Sequence, residues 1–408
     1  MKTNFDVIVI GGGASGMMAS IFAARNGNSC LVLDHNEKLG KKLYITGKGK
    51  CNLTNNSSIE THLNNIITNS KFMFSALNAF SPQDAMQFFE DNGLKLRTER
   101  GNRVFPASDK SSDVIKTLER TMQRYGVEVS LNEQILTVFK MDGKFNILCE
   151  DKKKYTSNSL IVATGGMSYS GTGATGKGYG IAYEFKHNII KPRSALCPIV
   201  VNEDISELNG LSLRNITLNY KNGKKEFSEF GDLLFTYNSL TGPTALTLSS
   251  KINKIDIKNT TISIDLKPAL SEEKLEEKFK REFVEFAKKD YKNYLSTLLP
   301  TSLVDYFIKK SGIKNKKMSE FTKQDRQTLI NTLKKFDFSI KSLDNINVSI
   351  VTSGGVDVKE INAKTCESKL VKNLYFVGEV LDVDALTGGF NLQIAWSTGY
   401  VAGNSIKI

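Results

Sequence analysis

Near its amino terminus the chain carries three glycines whose spacing is suited to holding a phosphate group. Gly11, Gly13 and Gly16 follow the apolar run Val7–Ile10 and open a segment of helical composition. In such a turn the first glycine permits a tight bend, the second lets the backbone approach a pyrophosphate, and the third lets helix and strand pack closely. The helix amino terminus then presents N–H groups and partial positive charge to the phosphates. The motif predicts a dinucleotide site.

An acidic residue completes this first site. The second strand segment, Ser29–Leu33, is followed by Asp34, 18 residues after Gly16. A carboxylate at that position can accept hydrogen bonds from ribose hydroxyls. The amino-terminal residues predicted to bind the cofactor are Gly11, Gly13, Ala14, Ser15, Gly16 and Asp34.

Two distant segments indicate FAD rather than NAD. A strand near the carboxyl terminus ends in Gly378-Glu379, and a helix is predicted from Asn391. The acidic turn is suited to the ribityl chain, and the helix amino terminus to negative charge on a reduced flavin ring. The turn Ala163–Gly166, after a third strand, gives another close approach to the nucleotide. These segments add Thr164, Gly165, Gly166, Gly378, Glu379, Asp382, Gly389, Asn391 and Leu392 to the predicted cofactor site.

Longer motifs occur in a fixed order along nearly the whole chain. They are GGGASG (11–16), GKKLYITGKGKCN (40–52), NRVFPAS (102–108), ATGGMSYSGTGATGKGYG (163–180), GDLLFTYNSLTGP (231–243), VTSGGV (351–356) and LYFVGEVLDVDALTGGFNLQIAWSTG (374–399). With these motifs the chain resembles bacterial NAD(P)/FAD-dependent oxidoreductases of the aminoacetone oxidase and 3-dehydro-bile-acid reductase type. The resemblance implies a Rossmann-like two-dinucleotide FAD fold with an inserted β-barrel and helical region.

The same resemblance implies further cofactor contacts. It places Lys42, Thr46, Gly49, Cys51 and Asn52 along the FAD, and the backbone of Ile135 near the adenine. Four positions depart from the usual family pattern: Asp34 replaces Glu, Lys177 replaces Asp, and Ala385 and Phe390 replace Gly and Tyr. Lys177 reverses a charge near the expected flavin position.

The expected reaction is hydride transfer between FAD and a small organic substrate, with NAD(P)H as reductant. Arg103, Tyr169 and Tyr237 are candidate catalytic residues on motif position alone. One alternative is an amine oxidase of the aminoacetone type that uses dioxygen. An alternative of another class is a flavin-bearing RNA-binding protein, because 55 Lys and Arg against 43 Asp and Glu leave a net charge of +12. The prediction is nevertheless against a nucleic-acid partner.

Three signals favour ordinary packing over chemistry. Cys51 lacks a nearby partner cysteine and is interpreted as a packed thiol. The second glycine pattern, Gly171–Gly176, starts several residues after its strand and is interpreted as a turn and helix start beside the flavin. The lysines of segment 38–50 are attributed to the cofactor phosphates or to solvation rather than to RNA.

Strand and helix signals divide the chain. We predict an α/β FAD-binding domain from residues 1–190 and 346–408, an inserted β-barrel-like domain from 191–270 with 337–345, and a helical insertion over 271–336. The five cysteines lack a C-x-x-C pair and the three histidines lie far apart, so no metal site is predicted. No apolar run is long enough to span a membrane, and we expect a cytoplasmic protein.

Overall fold

The computed structural model describes residues 2–407, which form two compact units. The nucleotide unit comprises the chain up to Ala195 and from Ile346 onward, and the barrel unit comprises Leu196–Asn345. The strands are β1 (Asn4–Ile10), β2 (Cys30–Leu33), β3 (Thr54–Asn55), β4 (Leu96–Glu99), β5 (Arg103–Pro106), β6 (Glu128–Ser130), β7 (Ile135–Met141), β8 (Lys144–Cys149), β9 (Lys154–Val162), β10 (Ile189–Ala195), β11 (Ile199–Val201), β12 (Ser212–Asn222), β13 (Lys225–Phe235), β14 (Ser239–Thr241), β15 (Thr261–Asp265), β16 (Phe336–Leu343), β17 (Val351–Val356) and β18 (Leu374–Phe376). The α-helices are α1 (Ala14–Arg25), α2 (Lys41–Ile45), α3 (Ile59–Asn65), α4 (Ser70–Ala79), α5 (Pro82–Asp91), α6 (Ser111–Arg124), α7 (Lys177–Glu184), α8 (Pro243–Ile252), α9 (Glu272–Glu285), α10 (Tyr291–Leu298), α11 (Thr301–Ser311), α12 (Lys323–Lys334) and α13 (Phe390–Ser405).

The nucleotide unit is built on a seven-stranded sheet. Its order is β6-β2-β1-β9-β8-β7, and β18 pairs with the last residues of β9. Strands β6, β2, β1, β9 and β18 run parallel, whereas β8 is antiparallel to both of its neighbours. Ile10 lies in register with both Leu33 and Val162, so the turns after these strands meet at one edge of the sheet. Ligands of doubly wound sheets bind at this edge.

Helices α1 and α13 bring the two ends of the chain into one core. Both helices are buried over most of their length. Gly399 and Gly403 of α13 permit close approach, because a Cβ on them would lie 2.5 Å from the carbonyl oxygen of Ser15 and 2.2 Å from that of Ala19, respectively. Trp396 is fully buried, and its Nε1–H donates to the carbonyl oxygen of Leu53 at 2.9 Å. Residues at opposite ends of the sequence therefore share the surface that carries the site.

The sequence predicts a helix over residues 81–93, with Ser81 as N-cap, Pro82 at the first helical position and Gly93 as the stop, and it predicts strand residues over 127–138. Helix α5 begins with Ser81 as N-cap and Pro82 in its first turn, and Ser81 and Asp84 form a reciprocal capping box. The strand residues over 127–138 form two strands, β6 and β7, separated by a turn in which Asn132 has φ 58°. The small antiparallel sheet β3-β5-β4 and the helices α3 and α4 were not predicted.

The barrel unit contains a closed antiparallel barrel in the order β11-β14-β13-β12-β15-β16. Its helices and strands share one apolar core, in which Phe235 and Phe338 of the barrel and Phe279 and Phe307 of the helices are fully buried. The predicted fold class, a Rossmann-like α/β domain with an inserted β-barrel-like and helical region, is confirmed. None of the helices in residues 2–407 combines the length and the apolar character that crossing a bilayer requires.

Candidate cofactor site

In the glycine turn after β1, two glycines are packed against backbone atoms and one faces open space. Gly11 has φ 105°, and a Cβ there would lie 2.4 Å from the carbonyl oxygen of Ala163. A Cβ on Gly16 would lie 1.9 Å from the carbonyl oxygen of Gly11. Gly13, in contrast, has no atom within 4 Å of a Cβ position and precedes α1 without a side-chain cap. Open space in front of free helix-terminal N–H groups is what a pyrophosphate requires.

Asp34 lies at the same edge of the sheet and is 7% exposed. Its Oδ2 accepts from the Gly12 N–H at 2.6 Å, and its Oδ1 accepts from the Asn36 N–H at 2.8 Å. The carboxylate therefore fixes the glycine turn to the end of β2. The turn 171–176 lies against the same strand end, because a Cβ on Gly173 would lie 2.6 Å from Nε2 of His35.

The carboxyl-terminal turn closes onto the start of α1. Gly378 has φ 74°, and a Cβ there would lie 2.5 Å from Oγ of Ser15. The Gly378 N–H donates to Oγ1 of Thr398 at 3.0 Å. Only glycine fits between these helices in this conformation, which brings the Gly–Glu turn beside the pyrophosphate turn.

Glu379 is the centre of a hydrogen-bonded network. Lys42 Nζ lies 2.6 Å from its Oε2, while Ser168 Oγ and the Thr352 N–H donate to its Oε1 at 2.9 and 2.8 Å. Lys42 Nζ also donates to Ser168 Oγ at 2.6 Å. Burial alone raises the pKa of Glu379, but the ammonium of Lys42 and these hydrogen bonds outweigh burial and hold that pKa below its ordinary value. Glu379 is therefore a fixed anion rather than a proton donor.

Among the buried oxygens without a hydrogen-bond partner in residues 2–407 are three in the motifs expected beside the cofactor. They are Oδ1 of Asn52, Oγ1 of Thr164 and the hydroxyl of Tyr179. Burial, with a contribution from the nearby carboxylates, raises the pKa of Tyr179 and keeps its hydroxyl protonated. Gly165 adds open space, since no atom lies within 4 Å of a Cβ position there. Buried polar atoms need partners, so these residues fit a cofactor with many polar groups, as FAD has.

The loop 46–51 adopts an unusual conformation. Gly47, Lys48, Gly49 and Cys51 all have φ between 56° and 85°. Thr46 Oγ1 donates to the carbonyl oxygen of Leu43 and fixes the start of the loop. Cys51 is fully buried, and burial raises the pKa of its thiol to about 12. A thiol in that state is a poor nucleophile, as the packed-thiol interpretation expects.

Helix α13 supplies the last predicted cofactor residues. Gly389 has φ 100° and precedes the helix. The side chain of Asn391 holds the preceding loop: its Oδ1 accepts from the Ala385 N–H and its Nδ2 donates to the Ala385 carbonyl. Asp382 is buried, and Leu392 is half-buried on the first turn.

At the other end of the predicted site, Ile135 begins β7. Lys177 Nζ donates to Oε1 of Gln134 at 3.0 Å, so its charge lies beside the predicted adenine position.

The three candidate catalytic residues have different environments. Arg103 is exposed on β5, opposite Asn55 of β3. Tyr169 is half-buried and has φ 53°. Tyr237 belongs to the barrel unit, between β13 and β14, and is 71% exposed. Their catalytic roles stay predictions.

Sequence reasoning assigned no role to Ser168, Thr352 and Tyr179, although all three lie in quoted motifs. Thr352 Oγ1 accepts from the Met167 N–H across 185 residues of sequence, a pairing that no local pattern reveals.

Comparison with known proteins defines the family. Residues 5–405 match the model of the HI0933-like protein Rossmann domain. The chain belongs to this family. It is 31% identical over 406 residues to the ribosomal RNA dihydrouridine synthase of Haemophilus influenzae, covering 98% of each chain. It is 27% identical to the 3-dehydro-bile acid delta(4,6)-reductase of Clostridium scindens, covering 97% of this chain and 98% of that one.

The fold also matches a solved structure. Over 99% of both chains it resembles the 3-ketosteroid delta1-dehydrogenase of Sterolibacterium denitrificans in complex with 1,4-androstadiene-3,17-dione, with TM-score 0.54 and 12% identity. Family membership and a site with glycine turns and buried polar atoms suited to FAD identify the chain as an FAD-dependent oxidoreductase.

Proposed function

We propose that this chain reduces a uracil base of ribosomal RNA to dihydrouracil. The observation that carries the proposal is its 31% identity, across 98% of both chains, to a ribosomal RNA dihydrouridine synthase. The net charge of +12 supports a polyanionic substrate. This proposal departs from the expectation, drawn from sequence, that nucleic acid is not a partner.

The reaction saturates a carbon–carbon double bond conjugated to a carbonyl. A hydride adds to C6 of uracil and a proton to C5, while NAD(P)H is oxidised to NAD(P)⁺ as the source of the hydride. FAD, when bound, supplies the hydride-transfer chemistry at its ring system. The chain must hold the cofactor, exclude water and deliver the proton.

Specific residues are suited to these tasks. The Glu379–Lys42 pair and the open glycine positions would hold the ribityl and pyrophosphate portions of the cofactor. Tyr169 follows Ser168, whose hydroxyl is bonded to Glu379, and its half-buried phenol is the candidate proton donor to C5. Arg103 is the candidate to bind a uracil carbonyl oxygen.

A second candidate function uses the same chemistry on a small molecule. The relative at 27% identity is named for reducing delta(4,6) double bonds of a 3-dehydro-bile acid. Such double bonds are conjugated to a ketone, as C5=C6 of uracil is conjugated to C4=O. The reaction type is therefore shared by both candidates, and only the substrate differs.

The decisive experiment offers the purified holoenzyme three kinds of substrate. These are unmodified transcripts of the ribosomal RNAs, a 3-keto-4,6-diene steroid, and aminoacetone with dioxygen. NADPH and NADH are supplied separately to the first two. We expect dihydrouridine at a discrete position of the RNA, detected by mass spectrometry, with one NAD(P)H consumed for each base reduced.

Three other outcomes of this experiment would contradict the proposal. Efficient reduction of the steroid with no change in the RNA would replace the proposal by the small-molecule reductase. Hydrogen peroxide formation from aminoacetone, without reductase activity, would replace it by the amine oxidase. Protein that never binds FAD would contradict the enzyme class itself.

A further inference from the structure

A short hairpin of the nucleotide unit carries a concentration of positive charge. It consists of β4, β5 and their connection, with Glu99 in register with Arg103. The nine residues from Lys95 to Arg103 contain four cations and one carboxylate. We call residues 95–103 the basic hairpin.

Two carboxylates at the basic hairpin, Glu99 and Asp109, are already paired with cations. Arg97 Nη2 donates to Oε1 of Glu99 at 2.7 Å and to Oδ1 of Asp109 at 2.6 Å. Lys50 Nζ approaches the other oxygen of Asp109 at 3.3 Å. Arg100, at the tip of the hairpin, is exposed.

Further cations around these pairs lack a counterion. Arg100, Lys95 and Lys48 are all exposed, and none of the three forms an ion pair within residues 2–407. Arg103 approaches Glu99 only at 3.9 Å. The basic hairpin therefore presents unpaired positive charge on a hydrogen-bonded pair of strands.

The basic hairpin is fixed directly to the cofactor site. Asn55 is 5% exposed, and its Nδ2 donates to the carbonyl oxygens of both Gly101 and Gly388 at 3.0 Å. Gly388 belongs to the turn that precedes α13, and the Asn56 N–H donates to the carbonyl of Asn102 at 2.7 Å. One buried amide thus joins the hairpin tip to the turn expected to contact the flavin.

We propose that the basic hairpin is a docking surface for RNA phosphates and positions the target nucleotide over the flavin. The inference rests on the proposed function and specifies how its substrate is held. Phosphate contacts fix the register of a nucleic acid without reading its sequence. A base that undergoes chemistry must leave its stack, so backbone contacts beside the catalytic site are needed to hold the strand while the base is extruded.

The test uses the holoenzyme with Lys95→Gln and Arg100→Gln combined. Neither residue belongs to the predicted cofactor or catalytic set. We expect KM for the ribosomal RNA transcript to rise about tenfold. The plot of log binding constant against log salt concentration is expected to become shallower by roughly 1.4, as the loss of two phosphate contacts on a single strand predicts. The rate of flavin reduction by NAD(P)H is expected to stay unchanged, because the change lies outside the cofactor site.

The control removes the same number of charges elsewhere in the nucleotide unit. Lys144 and Lys154 are exposed on the hairpin β8–β9, and Lys144→Gln with Lys154→Gln is expected to leave KM within twofold.

If the wild-type enzyme reduces RNA and the variant of the basic hairpin does so with unchanged KM and salt slope, the docking inference is wrong while the proposed function stands. If the wild-type enzyme does not reduce RNA at all, the proposed function fails. A hairpin variant that loses FAD or reacts slowly with NAD(P)H would also overturn the inference, since the residues would then act on the cofactor.

Discussion

At the scale of single residues, the glycines of the turn after β1 differ in what a side chain would contact at each position. A Cβ on Gly11 or on Gly16 would lie only 2.4 or 1.9 Å, respectively, from a backbone carbonyl oxygen. A Cβ on Gly13 would face open space. A side chain at Gly16 must therefore disturb folding. A side chain at Gly13 must obstruct only what binds there.

This difference yields a prediction. Gly13→Val is expected to leave the unfolding midpoint of the apoprotein within a few degrees of the parent, because Gly13 has an extended backbone that valine tolerates. FAD affinity is expected to fall at least about a hundredfold, because the isopropyl group occupies the pyrophosphate position. Titration of the apoprotein with FAD, followed by flavin fluorescence, measures the loss. Gly13→Val protein with parental affinity would show that the pyrophosphate lies elsewhere.

At the scale of elements, the packing of α1 against α13 determines whether the site forms. Gly399 and Gly403 place the carboxyl-terminal helix in backbone contact with the helix that begins at the glycine turn. The resulting approach brings Gly378 to Ser15. A loss of this packing separates the two halves of the predicted FAD site.

Two glycine-to-alanine changes within helices test this packing. Gly403→Ala is expected to lower the free energy of unfolding by about 1–3 kcal/mol, since its Cβ would lie 2.2 Å from a backbone oxygen that cannot move aside. Gly180→Ala in α7, where no atom lies within 4 Å, is expected to raise it by up to about 1 kcal/mol. Urea unfolding of both variants measures the contrast. Equal effects would mean that helix propensity, not close packing, governs both positions.

Elements that depend on distant partners escaped sequence reasoning. The hairpin β4–β5 has few alternating apolar residues and is completed by two residues of β3 that lie about 50 positions before their partners in β5. Its attachment through Asn55 to Gly388 spans 333 positions. Helix α5, in contrast, was predicted because Ser81, Pro82 and Gly93, which mark its two ends, lie close together in sequence.

At the scale of the whole molecule, two buried histidines make stability depend on pH. His62 Nε2 lies 2.9 Å from the carbonyl oxygen of Asn55, and His187 lies between Glu360 and Ser368. Burial lowers the pKa of each imidazole, and the hydrogen bonds to Asn55 and Glu360 only partly oppose that effect. Below the unfolded-state pKa of about 6.5, the unfolded chain binds protons that the folded chain does not, so acid destabilises the fold.

The free energy of unfolding is therefore expected to fall between pH 7 and pH 5. Each histidine contributes up to about 1.4 kcal/mol per pH unit, the limit for one proton. His62→Gln and His187→Gln are each expected to reduce the slope, and the double variant to reduce it by the sum. Urea unfolding at several pH values measures these slopes. A slope unaffected by either substitution would show that other groups control acid stability.

The sequence by itself determined the cofactor class, the residues of the glycine turns and the division into a nucleotide-binding fold with an insertion. These features follow from short-range rules, namely glycine spacing, strand and helix periodicity and capping residues. Only the tertiary structure showed that Lys42, Ser168, Thr352 and Glu379 form one network, and that a basic hairpin adjoins the turn before α13. Such contacts join residues far apart in the chain, and their formation depends on how sheets and helices pack rather than on any local pattern.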